Sequence, residues 1–292
     1  MQIHLPKLRK QLGLCTLLAA ASALCNTAAA EPAGPSADLY SGASGGVDWT
    51  QVQGAPLDWS TSSFNETYGS TVASTEYGAN GISYGAAASA SYGFNQARAW
   101  ATTLDGTGTR PYSWAGAVSS WSDAFVITGG TGLGVANLSA LLQGTIAPAS
   151  SGYAGFAVLY IPFDSYGADG ISAHQDQVIL SWDGNSDTQS GAHNESLAGS
   201  FAFEYGTRFR LIGSLQVEAD QGGFVDFSGN ATVTEIAVPY LSSINATSGY
   251  QGYNIIQTPV PEPSKMMMLG IGLLALGARL KSRKHKRLDT LG

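Results

Sequence analysis

Beyond Cys25 the chain has no cysteine, and its only two, Cys15 and Cys25, fall within the first thirty residues. From Glu31 to Val260 disulfides therefore cannot staple the fold, and thiolate catalysis and Cys-ligated zinc are excluded. Lysine is missing as well, from Lys10 all the way to Lys265. Positive charge in that span is confined to Arg98, Arg110, Arg208 and Arg210, against nineteen Asp and Glu, a formal charge of −15. The whole-chain value of −7 hides this, because ten of the fourteen Lys and Arg sit at the two ends. So acidic a body is repelled by phosphate backbones, which argues against nucleic acid as a partner. Its stability must come from an ordinary core, and a body of this length buries roughly 70% of its unfolded surface.

What is present begins with a signal-like front end. Lys7, Arg9 and Lys10 form a basic start, Leu12 to Leu24 an apolar stretch, and Ala28-Ala29-Ala30 a small-residue exit. That order reads as a secretory signal peptide over residues 1–30, with signal peptidase recognising Ala28 and Ala30 and cutting after Ala30. Lipid attachment at Cys25 is disfavoured by the large Leu24 before it.

The body, 31–258, reads as β throughout. Residues 31–95 are rich in Gly, Ser, Ala and Tyr, and Tyr68-Gly69, Tyr77-Gly78, Tyr84-Gly85 and Tyr92-Gly93 recur at strand-and-turn spacing. Tyrosines packed onto a sheet suit this pattern better than a ladder of exposed rings. From 96 to 240 the strands are clearer: Ala97–Leu104, Trp114–Val118, Trp121–Thr128, Val135–Ile146, Tyr153–Ile161 and Gln177–Trp182. Leu138–Leu142 has a helical turn as its alternative. Phe201, Phe203 and Tyr205 share one face, as do Phe209 and Leu211 with Arg208 and Arg210 opposite. Gln221-Gly222-Gly223 and Ser228-Gly229-Asn230 read as turns, and 241–258 as a polar linker. Ten to twelve short strands predict an all-β antiparallel sandwich or jelly roll.

Candidate chemistry is thin. Gly42-Ala43-Ser44-Gly45-Gly46 and Gly81-Ile82-Ser83-Tyr84-Gly85 fit G-x-S-x-G, but neither has the strand-turn-helix setting of a nucleophile elbow. Asp183, Asn185 and Asp187 alternate like the start of a calcium loop, yet position six is Thr188 and position twelve Asn194. An Asx-rich turn satisfying its own backbone is the plainer reading, with an irregular Ca²⁺ loop as the alternative. No other cofactor is expected. His193 and Glu195 lie two apart, on one face of a strand, without an identifiable third zinc ligand. A glycosidase acid pair cannot be chosen from nineteen carboxylates. Most of the six tryptophans (Trp49, Trp59, Trp100, Trp114, Trp121, Trp182) are expected in the core.

The far end carries the strongest signal. Pro261-Glu262-Pro263 is followed by an apolar run from Met266 to Ala278 and by a basic cluster, Arg279, Lys281, Arg283, Lys284, Lys286 and Arg287. Thirteen apolar residues fall short of the about twenty that span a bilayer. A short apolar helix stalled by basic residues on the inner side fits a transient insertion in the inner membrane, with an uncut anchor as the alternative. Residues 259–292 resemble the PEP-CTERM sorting signal of Gram-negative bacteria. The resemblance implies processing by an exosortase-like membrane transpeptidase and delivery to the outer surface or extracellular matrix. Trp121-Ser122-Asp123-Ala124-Phe125, Phe201–Gly206 and Phe227–Thr232 also look like segments of a β domain found in such exported proteins. The expected cargo is a non-enzymatic, exopolysaccharide-associated matrix protein. A carbohydrate-binding sandwich, with or without Ca²⁺, is the alternative, and a secreted glycoside hydrolase the third.

Overall fold

A computed structural model describes residues 37–48, 58–66, 70–79, 82–102, 112–148, 151–162 and 177–258. The signal segment and the sorting tail lie outside the described residues. The chain divides into two compact units, Met1–Gln257 and Thr258–Gly292. Among the described residues fourteen strands follow one another: β1 (Asp38–Asp48), β2 (Asp58–Glu66), β3 (Ser70–Ala79), β4 (Ile82–Ser91), β5 (Phe94–Ala101), β6 (Tyr112–Thr128), β7 (Leu133–Ile146), β8 (Ser151–Pro162), β9 (Gln177–Asn185), β10 (Gly191–Glu204), β11 (Arg208–Asp220), β12 (Phe224–Pro239), β13 (Ser243–Ala246) and β14 (Ile255–Thr258). No helix occurs among the described residues.

Two seven-stranded sheets result. The first runs β2-β1-β6-β11-β8-β9, with β13 beside β6; the second runs β10-β7-β12-β5-β4-β3, with β14 beside β12. Central pairings are antiparallel, for example Gly213 opposite Trp121 and Val158. Across the core β1 lies over β3 and β4, β6 over β4 and β5, β11 over β5 and β12, and β9 over β10. Successive strands of one sheet thus meet successive strands of the other, the aligned packing of a β-sandwich.

Alternation explains why these residues make sheets. Along β6 the inward positions are Ala115, Ala117, Ser119, Trp121, Asp123, Phe125 and Ile127, all buried. The core is uneven. On the β4–β5 side it is filled by Ala86, Ala88, Ala97 and Ala99, so the sheets approach closely. On the β8–β11 side it is aromatic: Tyr160 lies 4.9 Å from Phe201 and 5.4 Å from Phe209, and Phe209 stacks on Phe125 at 5.7 Å. Such ring pairs add about 0.5–1.5 kcal/mol each beyond area burial.

Several local expectations change. Trp114–Val118 and Trp121–Thr128 are one strand, β6, because Ser119 and Ser120 continue the alternation without a break. Leu138–Leu142 is extended within β7, its Leu138 and Leu142 side chains buried on one face, so the helical alternative fails. Ser228-Gly229-Asn230 is a bulge inside β12, not a turn between strands; the register shifts between Phe227 and Ala231 and the strand runs on. Gln221-Gly222 is a true turn, with φ of 46° and 89°. Residues 31–95 contribute strands β1 to β4 and the start of β5 to the same two sheets as the rest, and 241–258, read as a linker, forms β13 and β14.

Candidate functional site

Pro261, Glu262 and Pro263, the basic cluster from Arg279 to Arg287, and Ala28 and Ala30 all lie outside the described residues. So do Asp164, Asp169 and Asp176, which an irregular Ca²⁺ loop could add to its ligands, and His174, which with His193 is a candidate base for the G-x-S-x-G serines. What the structure places is the body that leads into the sorting motif.

The alternating acids do not converge. Asp183 and Asn185 both belong to β9, and Asn185 Oδ1 accepts from Asp187 N (3.1 Å), Thr188 N (3.0 Å) and Thr188 Oγ1 (2.9 Å). This is the self-satisfied Asx turn. Among the described residues no group of three or more His, Cys, Asp or Glu is placed to hold a metal ion. His193 and Glu195 do share a face, with Nδ1 and Oε1 3.7 Å apart. His193 Nε2 meets the Gln189 carbonyl at 2.7 Å, and its ring packs against Trp182 at 5.0 Å and Phe227 at 6.1 Å. Ser44 lies within β1 and Ser83 within β4, each in continuous strand.

The tyrosine–glycine rhythm becomes intelligible here. Tyr77 and Tyr84 stack across β3 and β4 at 5.4 Å, and the Tyr84 ring lies on Gly45, where a Cβ would come within 2.3 Å of it. Of the tryptophans whose side chains are described, Trp121 is fully buried, while Trp100, Trp114 and Trp182 are half-buried. The expectation of mostly core tryptophans therefore fails for Trp100 and Trp114, which their strands present on outer faces, whereas Trp182 packs against the core beside Phe227. Trp100 lies under the Arg98 guanidinium, 5.4 Å from its centroid, beside a shallow depression of about 440 Å³ bounded by Thr102 and Phe224.

The outer face of the first sheet carries a polar and aromatic group that no motif announced. Register places Tyr153 beside Glu218 and Asn185, Gly155 beside Asp183, and Trp114 beside Asp220. Burial, then the Asp183 and Glu218 charges, push the Tyr153 phenol up to about 12. Gln216 Nε2 donates to Glu218 Oε1 at 2.6 Å. Gln216 Oε1, Ser214 Oγ and Ser122 Oγ, on the same face, are buried and find no hydrogen-bond partner among the described residues.

The most specific polar construction is the one that ends the sandwich. Asp123, with 0% exposure, sits at an inward position of β6. It accepts from Ser248 N (3.1 Å), Ser248 Oγ (2.5 Å) and Tyr253 Oη (3.1 Å). Tyr253 enters between the sheets, 5.2 Å from Phe125 and 5.0 Å from Tyr250, over Gly93, whose φ of 73° turns the chain beneath it. Desolvation raises the Asp123 pKa although the Ser248 and Tyr253 hydrogen bonds oppose it. Burial and the Asp123 charge push the Tyr253 phenol up as well. Thr247 N donates to Ala124 O, Asn254 Nδ2 to Thr234 O, and Gln257 Nε2 to Ser242 O. The chain is thus bolted down to the last described residue. Sequence reasoning passed over Asp123, yet the signal was available: it is the one acid in an otherwise small or apolar inward series.

Comparisons with known proteins give little for the body. No curated protein matches the chain. The bacteriophage CBA120 tailspike protein 4 enzymatically active domain is 9% identical, at a TM-score of 0.21, over 58% of this chain and 19% of its own. The Clostridium thermocellum xylanase 10B CBM22-1–GH10 modules, complexed with xylohexaose, are 9% identical, at a TM-score of 0.17, over 44% of this chain and 24% of theirs. The chain spans about a fifth and a quarter of these proteins, and likenesses this distant carry no argument. The tail is different, for residues 259–284 match the family model of the PEP-CTERM protein-sorting motif. This protein accordingly carries a PEP-CTERM sorting motif, which marks it as an exported protein processed by an exosortase-like enzyme for the cell exterior.

Proposed function

We propose that the body is a non-enzymatic β-sandwich delivered to the cell surface or extracellular matrix, where it associates with exopolysaccharide. The observation that carries this reading is the position of the sorting motif: it starts at residue 259, directly after β14. Nothing that needs separate folding intervenes, so cutting near Pro261–Pro263 releases the sandwich with its Asp123 anchorage intact. The non-enzymatic part is supported by Ser44 and Ser83 lying in unbroken strands. The test is the intact mass of the protein recovered from membrane, surface and medium fractions. A C-terminus between Pro261 and Pro263 in the outer fractions is expected. A membrane-bound mass retaining Arg279 to Arg287 would make the tail a permanent anchor.

A second reading, a carbohydrate-binding sandwich, is favoured by the outer face of the first sheet. There two half-buried rings, Trp114 and Tyr153, flank the exposed carboxylates of Asp183 and Glu218. Rings that stack on sugar faces beside carboxylate acceptors for hydroxyls suit a saccharide surface. Binding to the producer's own polysaccharide, with and without Ca²⁺, is expected to weaken in Trp114→Ala and Tyr153→Ala. Unchanged retention would remove this reading.

A further inference from the structure

Among the described residues, most of the large apolar side chains left in water gather at one end. Leu133 is 81% exposed and Leu241 71%, and Val135, Tyr240, Ile255 and Ile256 are exposed with them. Backbone and side-chain bonds tie these positions together. Gln257 Nε2 donates to Ser242 O at 3.0 Å, and Leu241 N donates to Gln257 Oε1 at 3.4 Å, joining β14 to the β12–β13 turn. A Cβ on Gly129 would come within 2.4 Å of Leu241 O, so the turn entering β7 at Leu133 abuts the same place. Tyr205 Oη and Ser242 Oγ, 3.1 Å apart, bring in the β10–β11 turn. Leu241 holds a φ of 63°, unusual for a leucine, which sets a bulky apolar residue at the tip of its turn.

We propose that this end of the sandwich rests on the lipid bilayer for as long as the sorting tail is attached. The inference depends on the reading of Met266–Ala278 as a membrane stop. The described chain leaves the sandwich at Thr258, from this same end. Seven residues, 259–265, then separate it from the apolar run. Fully extended, they reach at most about 25 Å. A bilayer holding the run therefore lies within a short tether of Leu133, Leu241 and Ile255, and an exposed apolar patch so placed lowers its free energy by entering the interface. Tyr240 has the amphipathic ring that favours the headgroup level. Glu204 and Arg208, one of each sign, flank the β10–β11 turn at this end. The contact would hold the Pro261–Pro263 segment close to the membrane plane, where a membrane transpeptidase works.

The test uses the full chain, with Cys15→Ser and Cys25→Ser so that a single introduced cysteine takes an environment-sensitive fluorophore. The label goes at Leu133→Cys, at Leu241→Cys, or at Asp187→Cys in the β9–β10 turn at the other end. The chain is reconstituted with phosphatidylcholine–phosphatidylglycerol vesicles containing spin-labelled lipid. Expected is co-flotation with the vesicles, with blue-shifted and quenched emission at 133 and 241 and neither at 187. Co-flotation without quenching at 133 and 241 overturns the proposal while leaving the tail reading intact. Cross-links between copies at those positions, again without quenching, assign the patch to a second copy of the chain and overturn it too. Failure to float removes the membrane-stop reading, and the inference falls with it.

Discussion

Asp123 concentrates the chemistry of this fold into one side chain. A carboxylate in an aromatic core is costly unless its lone pairs are filled, and here three donors from one short segment fill them. Its folded-state pKa is nevertheless raised, with desolvation the largest cause. The sign follows directly: a group raised above its unfolded value contributes stability that is fully present below the unfolded pKa and is lost as pH rises through the folded pKa. Stability of the native chain relative to Asp123→Asn is therefore expected to increase from about pH 7 to about pH 4. Urea titrations at several pH values would reveal it, and a flat or inverted difference would refute it. Asp123→Ala strands the Ser248 and Tyr253 hydroxyls in the core and should cost about 3 kcal/mol. Gly45 makes the complementary point about space. Because its Cβ would collide with the Tyr84 ring, Gly45→Ala is expected to lose about 1–3 kcal/mol of unfolding free energy.

At the scale of elements, the segment after β13 decides more than its composition suggests. Its polar, glycine-containing wording, Thr247 to Gly252, reads as a connector. In the fold it delivers Tyr253 to the gap between the sheets and ends in β14. Ending the protein after Ala246 should therefore cost more than about 4 kcal/mol, since it removes a buried aromatic together with all three of these donors to Asp123. Ending it after Thr258 should leave the denaturation midpoint unchanged. Equal stability of the two truncations would show that the anchor contributes nothing. The β12 bulge belongs to this scale as well. Ser228-Gly229-Asn230 has turn chemistry, but Ala231, Val233 and Ile236 continue the inward series beyond it, and burying them outweighs the local preference.

For the whole molecule, charge segregation is the governing fact. Both ends are basic and the body is acidic, so cleavage at either end would make the protein more negative. Loss of 1–30 and of the tail after Val260 takes the formal charge from −7 to −15. Isoelectric focusing of precursor and exported forms should show the latter at clearly lower pH. An exported form focusing with the precursor would mean that the tail is retained. The acidic surface also sets copies of the body repelling one another, apart from the apolar end around Leu133 and Leu241.

What the sequence alone determined follows from local and compositional rules. Period-two alternation and turn residues specify strands, so an all-β sandwich was legible. So was the address at the C-terminus, because a motif read linearly needs no partner in space. Strand order, the merging of Trp114–Thr128 into β6, and the burial of Asp123 under Tyr253 were decided only by tertiary structure. They depend on residues as distant as 130 positions in sequence meeting across the core. The same holds for the outer-face group around Tyr153 and for the apolar end. Each draws its members from several strands or turns, and no linear pattern records which of them become neighbours.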